Sequence, residues 1–250
     1  MIAPGHVTAL VDDILEYARP RDSPVVEVGP GPAGTVSKEL ASRGVDLTCV
    51  EADRDTVDSL RRSLPGEPTV VVAHCRFEEW TPPGAGSFGL MYCGQSWHFL
   101  DPERRLDKAL SVLKAGGTLA LSWNYVANPA SPIRQALARA HSARGLAHIG
   151  RRILDDHSAP ESSRSCLAEI AESPLFGDSR TRSYSWSAGF SLAGYLKVLS
   201  AFTDRGLMTR EDFDATAPDV TDIFHRFNSD LRLEMETKVY MTKSCPRLAA

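Results

Sequence analysis

The residues best placed to do chemistry sit in one short run, Val25-Val26-Glu27-Val28-Gly29-Pro30-Gly31-Pro32-Ala33-Gly34. An apolar segment leads into a glycine turn, and Thr35–Arg43 behind it has helical spacing. Glycines let a backbone approach a ligand with no Cβ in the way. The N-terminus of the following helix offers unpaired N–H groups. Glu27 precedes the first glycine by two residues. A carboxylate there repels a diphosphate and attracts a cation, so the turn points to a positively charged ligand rather than a dinucleotide.

Glu51 closes the next strand, 20 residues after Gly31. That is where an acidic side chain accepts hydrogen bonds from ribose hydroxyls. Asp53 is the better N-cap for the helix that follows. Arg54 beside it would suit the phosphate of NADP, which keeps an NADP-dependent reductase open as an alternative. The Tyr-x-x-x-Lys pair of many such reductases is missing.

A further stretch runs Gly89-Leu90-Met91-Tyr92-Cys93-Gly94-Gln95-Ser96-Trp97-His98-Phe99-Leu100-Asp101-Pro102, and Leu113-Lys114-Ala115-Gly116-Gly117-Thr118-Leu119 follows a helix. The acidic glycine motif, the second-strand acid and this turn, in that order, resemble class I S-adenosylmethionine-dependent methyltransferases. The segment from Gln95 to Pro102 is similar to the type 11 small-molecule methyltransferases, including the branch like trans-aconitate methyltransferases. A weaker likeness continues into Glu172–Phe176, Tyr184–Trp186 and the final strand. The resemblance implies S-adenosylmethionine as cofactor. It puts Glu27, Gly29 and Gly31 in the cofactor loop, Glu51 on the ribose, Arg76, Phe77 and Glu78 around the adenine, and Gly94 and Gln95 along the methionine end. The chain departs from the pattern at Ala33, where a third loop glycine is usual, and at Gly89, where an acid is usual. These departures leave a catalytically degenerate protein of the same fold as another alternative. An RNA or protein methyltransferase would want a basic face or an Asn-Pro-Pro-Tyr-like motif, and the matching position reads Tyr92-Cys93-Gly94-Gln95.

Methyl transfer from a sulfonium asks mainly for positioning and exclusion of water. A general base is needed only where the acceptor must lose a proton. His98 is the candidate base, since histidine exchanges protons near neutral pH; the alternative is packing beside Trp97 and Phe99. Trp97, Trp123, Phe190, Tyr195 and Phe202 are candidates for an apolar acceptor pocket, and equally for core. Arg151 and Arg152 could clamp an acidic acceptor, or be solvated. His141, His148 and His157 are expected to face solvent, and no spacing among them suggests a metal site.

The elements that must position these residues alternate. Helical spacing over Val7–Tyr17, Thr35–Arg43, Asp55–Ser63 and Glu103–Leu113 is interleaved with strands at Pro24–Val28, Val45–Glu51, Thr69–Ala73, Gly89–Tyr92 and Thr118–Trp123. Repeated βα units with apolar strands predict an α/β fold: a Rossmann-like, doubly wound, mostly parallel sheet. After Asn124, helices are expected at Pro132–Arg144, Ser162–Ser173, Leu192–Phe202 and Ile223–Glu236. Strands are expected at Thr181–Trp186 and, antiparallel and last, Thr237–Thr242. The division expected is a cofactor-binding core over 1–125, then a helical cap and substrate region with the last two strands over 126–250.

Composition fits this reading. The chain has 250 residues, 42% hydrophobic and 24% charged, with net charge −4 and no basic run longer than two residues. That disfavours a nucleic-acid partner and favours a small-molecule acceptor. No run is apolar enough to span a membrane, and no signal peptide is read at Met1. The five cysteines form no C-x-x-C pair, which suits a reducing cytoplasm. Because the first helix starts close to Met1, the cleft is expected to be open, or shielded by the Gly145–Ser158 loop or by the partner of a homodimer.

Overall fold

The structure is a computed structural model that describes residues 4–21, 23–64, 69–84, 86–128, 130–154, 160–204 and 206–245. The chain begins α1 (Pro4–Ala18), β1 (Val25–Val28), α2 (Thr35–Ser42), β2 (Leu47–Glu51), α3 (Arg54–Ser63), β3 (Val70–His74) and β4 (Phe88–Gly94). A 3-10 turn (Trp97–Phe99), α4 (Arg105–Val112) and β5 (Leu113–Val126) follow. Then come α5 (Pro132–Ala143), α6 (Ala147–Leu154), α7 (Pro160–Glu172), β6 (Phe176–Phe190), α8 (Leu192–Asp204), α9 (Arg210–Phe227) and β7 (Leu231–Ser244).

The strands lie in the order β3-β2-β1-β4-β5-β7-β6. From β3 to β5 the pairs are parallel, with Val25 opposite Leu47 on one side and Leu90 on the other. The β7 strand runs the opposite way. Its Lys243 and Ser244 bond to Thr118 and Lys114 of β5, and its Thr242 bonds to Gly177 of β6. This is the mixed, mostly parallel sheet with an antiparallel last strand that the sequence predicts. Chain order reverses at β1, so a crevice opens at the carboxyl ends of β1 and β4, where ligands bind in such sheets.

Two compact units divide the chain. One comprises Pro4–Trp123, Ser158–Tyr184 and Lys238–Ala250; the other holds Asn124–His157 and Ser185–Thr237. In the first unit all of β1 is buried, as a parallel strand covered on both faces must be. Its core joins Val7, Leu10, Val11 and Ile14 of α1 to Val25, Leu47, Leu90 and Ala120 of the sheet. Asp53 caps α3 by accepting the Thr56 N–H, as its position suggests.

In the second unit Ile133 and Leu137 of α5, Ile149 and Ile153 of α6, and Tyr195, Leu199, Val220 and Phe224 pack together. Three expectations fail here. The helix expected over Ile223–Glu236 is the end of α9 and the start of β7. Asn228 takes a left-handed φ of 44° and stops α9, and Leu231, Leu233 and Met235 then alternate into the core as a strand. The loop expected over Gly145–Ser158 contains α6, whose Ile149, Ile153 and Leu154 are buried; Asp155, Asp156 and His157 lie outside the described residues. His141 does not face solvent. It is fully buried, with Nε2 2.9 Å from the Tyr195 hydroxyl, and burial pushes its pKa down to about 4. His148 is exposed, as expected.

Candidate functional site

The turn after β1 is built around Gly29. Its φ is +65°, and its N–H donates to the Val50 carbonyl of β2 at 3.0 Å. A Cβ at Gly29 would stand 2.5 Å from Ser96 Oγ, so no side chain fits. Ser96 Oγ in turn lies 3.1 Å from the carbonyls of both Gly29 and Gly94, clipping the glycine turn to the segment after β4. Beyond Gly31, also at positive φ, a Cβ would meet nothing within 4 Å.

Beside this junction lies a cavity of about 240 Å3. Gly29, Glu51, Arg76, Phe77 and Glu78 line it, together with Val28, Val50, Ala52, Cys75, Ser96, Phe99 and Leu100. Five residues singled out from the sequence therefore meet on one cavity. Glu51 is half-buried, and its Oε1 accepts the N–H groups of Ala52 and Asp53 at 2.9 and 3.0 Å. Those bonds fix the carboxylate at the strand end while it keeps lone pairs for a ligand. Glu78 is engaged differently. Its buried Oε1 accepts the Asp101 N–H at 2.8 Å, tying the loop after β3 to the loop after β4. Arg76, largely exposed, lies 3.8 Å from the other Glu78 oxygen.

Ser96, Phe99 and Leu100 belong to the site although no single-residue signal marks them. The nearest clue is their place directly after β4. Phe99 is 72% exposed beside this cavity.

Glu27, Gly31, Gly94 and Gln95 do not line this cavity. Glu27 is buried, with Oε2 2.5 Å from Ser37 Oγ of α2. Burial pushes its pKa up to about 7, and the Ser37 bond offsets part of that rise. Gly94 has a packing reason to lack a side chain: a Cβ would stand 2.6 Å from the Tyr92 hydroxyl, which is 2.7 Å from Ser122 Oγ. Gln95 takes a positive φ of 60°, and its N–H donates to the Ser122 carbonyl. Gly89, one of the departures from the family pattern, presses on Pro20 and Ser23 within 3.0 Å of where a Cβ would be, so no acid fits there.

His98 is half-buried on the 3-10 turn, its ring centroid 4.0 Å from that of Phe99. Trp97 and Trp123 are fully buried in the first unit. Tyr195 is fully buried in the core of the second, and Phe202 packs against that core half-buried. No cluster of potential metal ligands occurs among the described residues.

The cavity combines a fixed carboxylate, a glycine turn and apolar walls from Val50, Phe77, Phe99 and Leu100. This arrangement could hold a ribose whose hydroxyls donate to the carboxylate and a flat base against the apolar wall.

Residues 26–121 match the family described as "Methyltransferase domain". An uncharacterized methyltransferase of Mycobacterium tuberculosis (strain H37Rv) is 31% identical over 121 residues, which are 48% of this chain and 46% of that protein. The chain spans about half the length of the curated relatives it matches in this way. A solved putative methyltransferase from Bacillus halodurans superposes with a TM-score of 0.57 at 16% identity, over 95% of this chain and 100% of that one. Geranyl diphosphate C-methyltransferase from Streptomyces coelicolor A3(2), solved with S-adenosyl-L-homocysteine, gives a TM-score of 0.52 at 12% identity, over 95% and 76% of the two chains. The likeness to these solved structures shows the fold, and residues 26–121 are similar to the methyltransferase-domain family.

Proposed function

We propose that this chain is an S-adenosylmethionine-dependent methyltransferase acting on O, N or C of a small, apolar or aromatic metabolite in the cytoplasm. The observation that carries the reading is the meeting of Glu51 and the Gly29–Ser96 junction on one cavity with Phe77 and Phe99. When bound there, the cofactor supplies an activated methyl group. Glu51 would accept the ribose hydroxyls, and the apolar walls would hold the base and exclude water. Glu27 would set a negative charge beneath the cationic methionine end. His98 would take a proton from an acceptor that has one to lose.

An NADP reductase is disfavoured. A carboxylate at Glu27, beside the glycine turn, repels a diphosphate, and the Tyr-x-x-x-Lys pair is missing. The chain's net negative charge supports a small acceptor over a nucleic acid. Mass spectrometry of the small molecules released from the purified, denatured protein tests the proposal. S-adenosylmethionine or its demethylated product in near-stoichiometric amount is expected, and NADP in their place would overturn it.

A further inference from the structure

Arg105, the first residue of α4, is a charged side chain buried in the first unit. Its guanidinium grips both oxygens of Glu169 on α7: Nε donates to Oε1 at 3.2 Å and Nη2 to Oε2. The remaining nitrogen, Nη1, donates to the carbonyl of Trp97 at 3.1 Å, and Cζ lies 5.6 Å from the centroid of the Trp97 ring. The Arg105 side chain is 9% exposed and that of Glu169 24%.

Stability alone is a poor reason for such a pair. Removing two charges from water costs free energy that their attraction does not reliably return, and apolar replacements are often neutral or stabilising. What the fork does accomplish is local. It fixes the Trp97 peptide, in the 3-10 turn between Ser96 on one side and Phe99 and Leu100 on the other. Those three residues line the cavity. The segment is also held at its ends, by Ser96 on Gly29 and by Glu78 on the Asp101 N–H. Trp97, fully buried, is the middle anchor, and Phe99 two residues later is left exposed.

We propose that the Arg105–Glu169 pair is a positioning device for the cofactor cleft, through which α7 sets the place of the Ser96–Leu100 wall without lining the cavity itself. The proposal rests on the methyltransferase reading and adds Arg105 and Glu169 to the residues that determine cofactor affinity. Both act through the Trp97 carbonyl.

The test compares wild type, the double variant Arg105→Met/Glu169→Met, and Glu169→Gln, with S-adenosylhomocysteine as the probe. In the double variant the melting temperature is expected to stay at or above that of wild type, while the dissociation constant rises by roughly tenfold or more. Wild-type affinity in the folded double variant, whatever its melting temperature, would overturn the proposal. Should the double variant not fold, Glu169→Gln decides. Weaker binding with faster amide exchange confined to Ser96–Leu100 supports the proposal, and wild-type affinity and exchange overturn it. Failure of the wild type to bind the probe would instead remove the underlying function, and the proposal with it.

Discussion

Ser37 Oγ lies 2.5 Å from Glu27 Oε2, and both side chains are buried where α2 meets the glycine turn. The bond holds the carboxylate among buried side chains, and Glu27 does not line the cavity beside Gly29. Burial, offset in part by that bond, leaves the carboxyl titrating near neutrality, at about 7 instead of 4.5.

A folded-state pKa above the ordinary value means the carboxyl's contribution to stability is whole below about 4.5 and lost as pH rises through about 7. Glu27→Gln should therefore raise the melting temperature near pH 8 and leave it nearly unchanged near pH 5. A cationic ligand favours the ionised form, so S-adenosylmethionine should bind more weakly as pH falls below about 7, by up to roughly tenfold per pH unit. The variant should lose that dependence. Differential scanning fluorimetry and titration calorimetry across this range check both, and a pH-independent wild-type affinity would refute the link.

Gly29→Ala should put a methyl group onto Ser96 and strain a backbone that needs positive φ. A loss of roughly 1–3 kcal/mol of stability and of cofactor binding is expected. Ser96→Gly in the same chain should restore part of both by removing the opposing side chain. Denaturant melts with and without S-adenosylhomocysteine would show it, and a harmless Gly29→Ala would mean that the two segments are not packed as described.

His141 should make the second unit acid-sensitive. Its folded-state pKa is lowered to about 4 from 6.5, so its contribution is intact above about 6.5 and is lost as pH falls toward 4. His141→Leu should flatten the fall in melting temperature between those values. A wild-type slope in the variant would assign the sensitivity to other groups.

His98→Ala should separate acceptor classes. With a hydroxyl or acidic N–H acceptor, kcat should drop by about 10²-fold or more while cofactor affinity holds. With a neutral amine or nucleophilic carbon, most activity should remain. A folded variant with normal kcat on a hydroxyl acceptor would remove His98 from the mechanism.

The half of the molecule that holds the cavity was legible because its signals are local. The β1 run, the Gly29–Gly31 turn and Glu51 are each read from a few neighbouring residues. Ser96 and Glu78 show their roles only through partners 67 and 23 residues away, which spacing along the chain does not reveal. Residues 231–236 misled because Leu, Met and Glu are strong helix formers, and the sheet overrode their preference. The stop signal was Asn228, a residue type that tolerates the left-handed region. His141 could have been found, since Ile133, Leu137 and His141 recur every four residues along the buried face of α5.

The most direct measurement is calorimetric titration of the purified chain with S-adenosylhomocysteine and with NADPH, repeated on Glu51→Ala. The account predicts saturable one-site binding of the first and none of the second, with the variant weakened by roughly 1–3 kcal/mol as ribose hydroxyls lose their acceptor. Tight NADPH binding with no response to S-adenosylhomocysteine would contradict it.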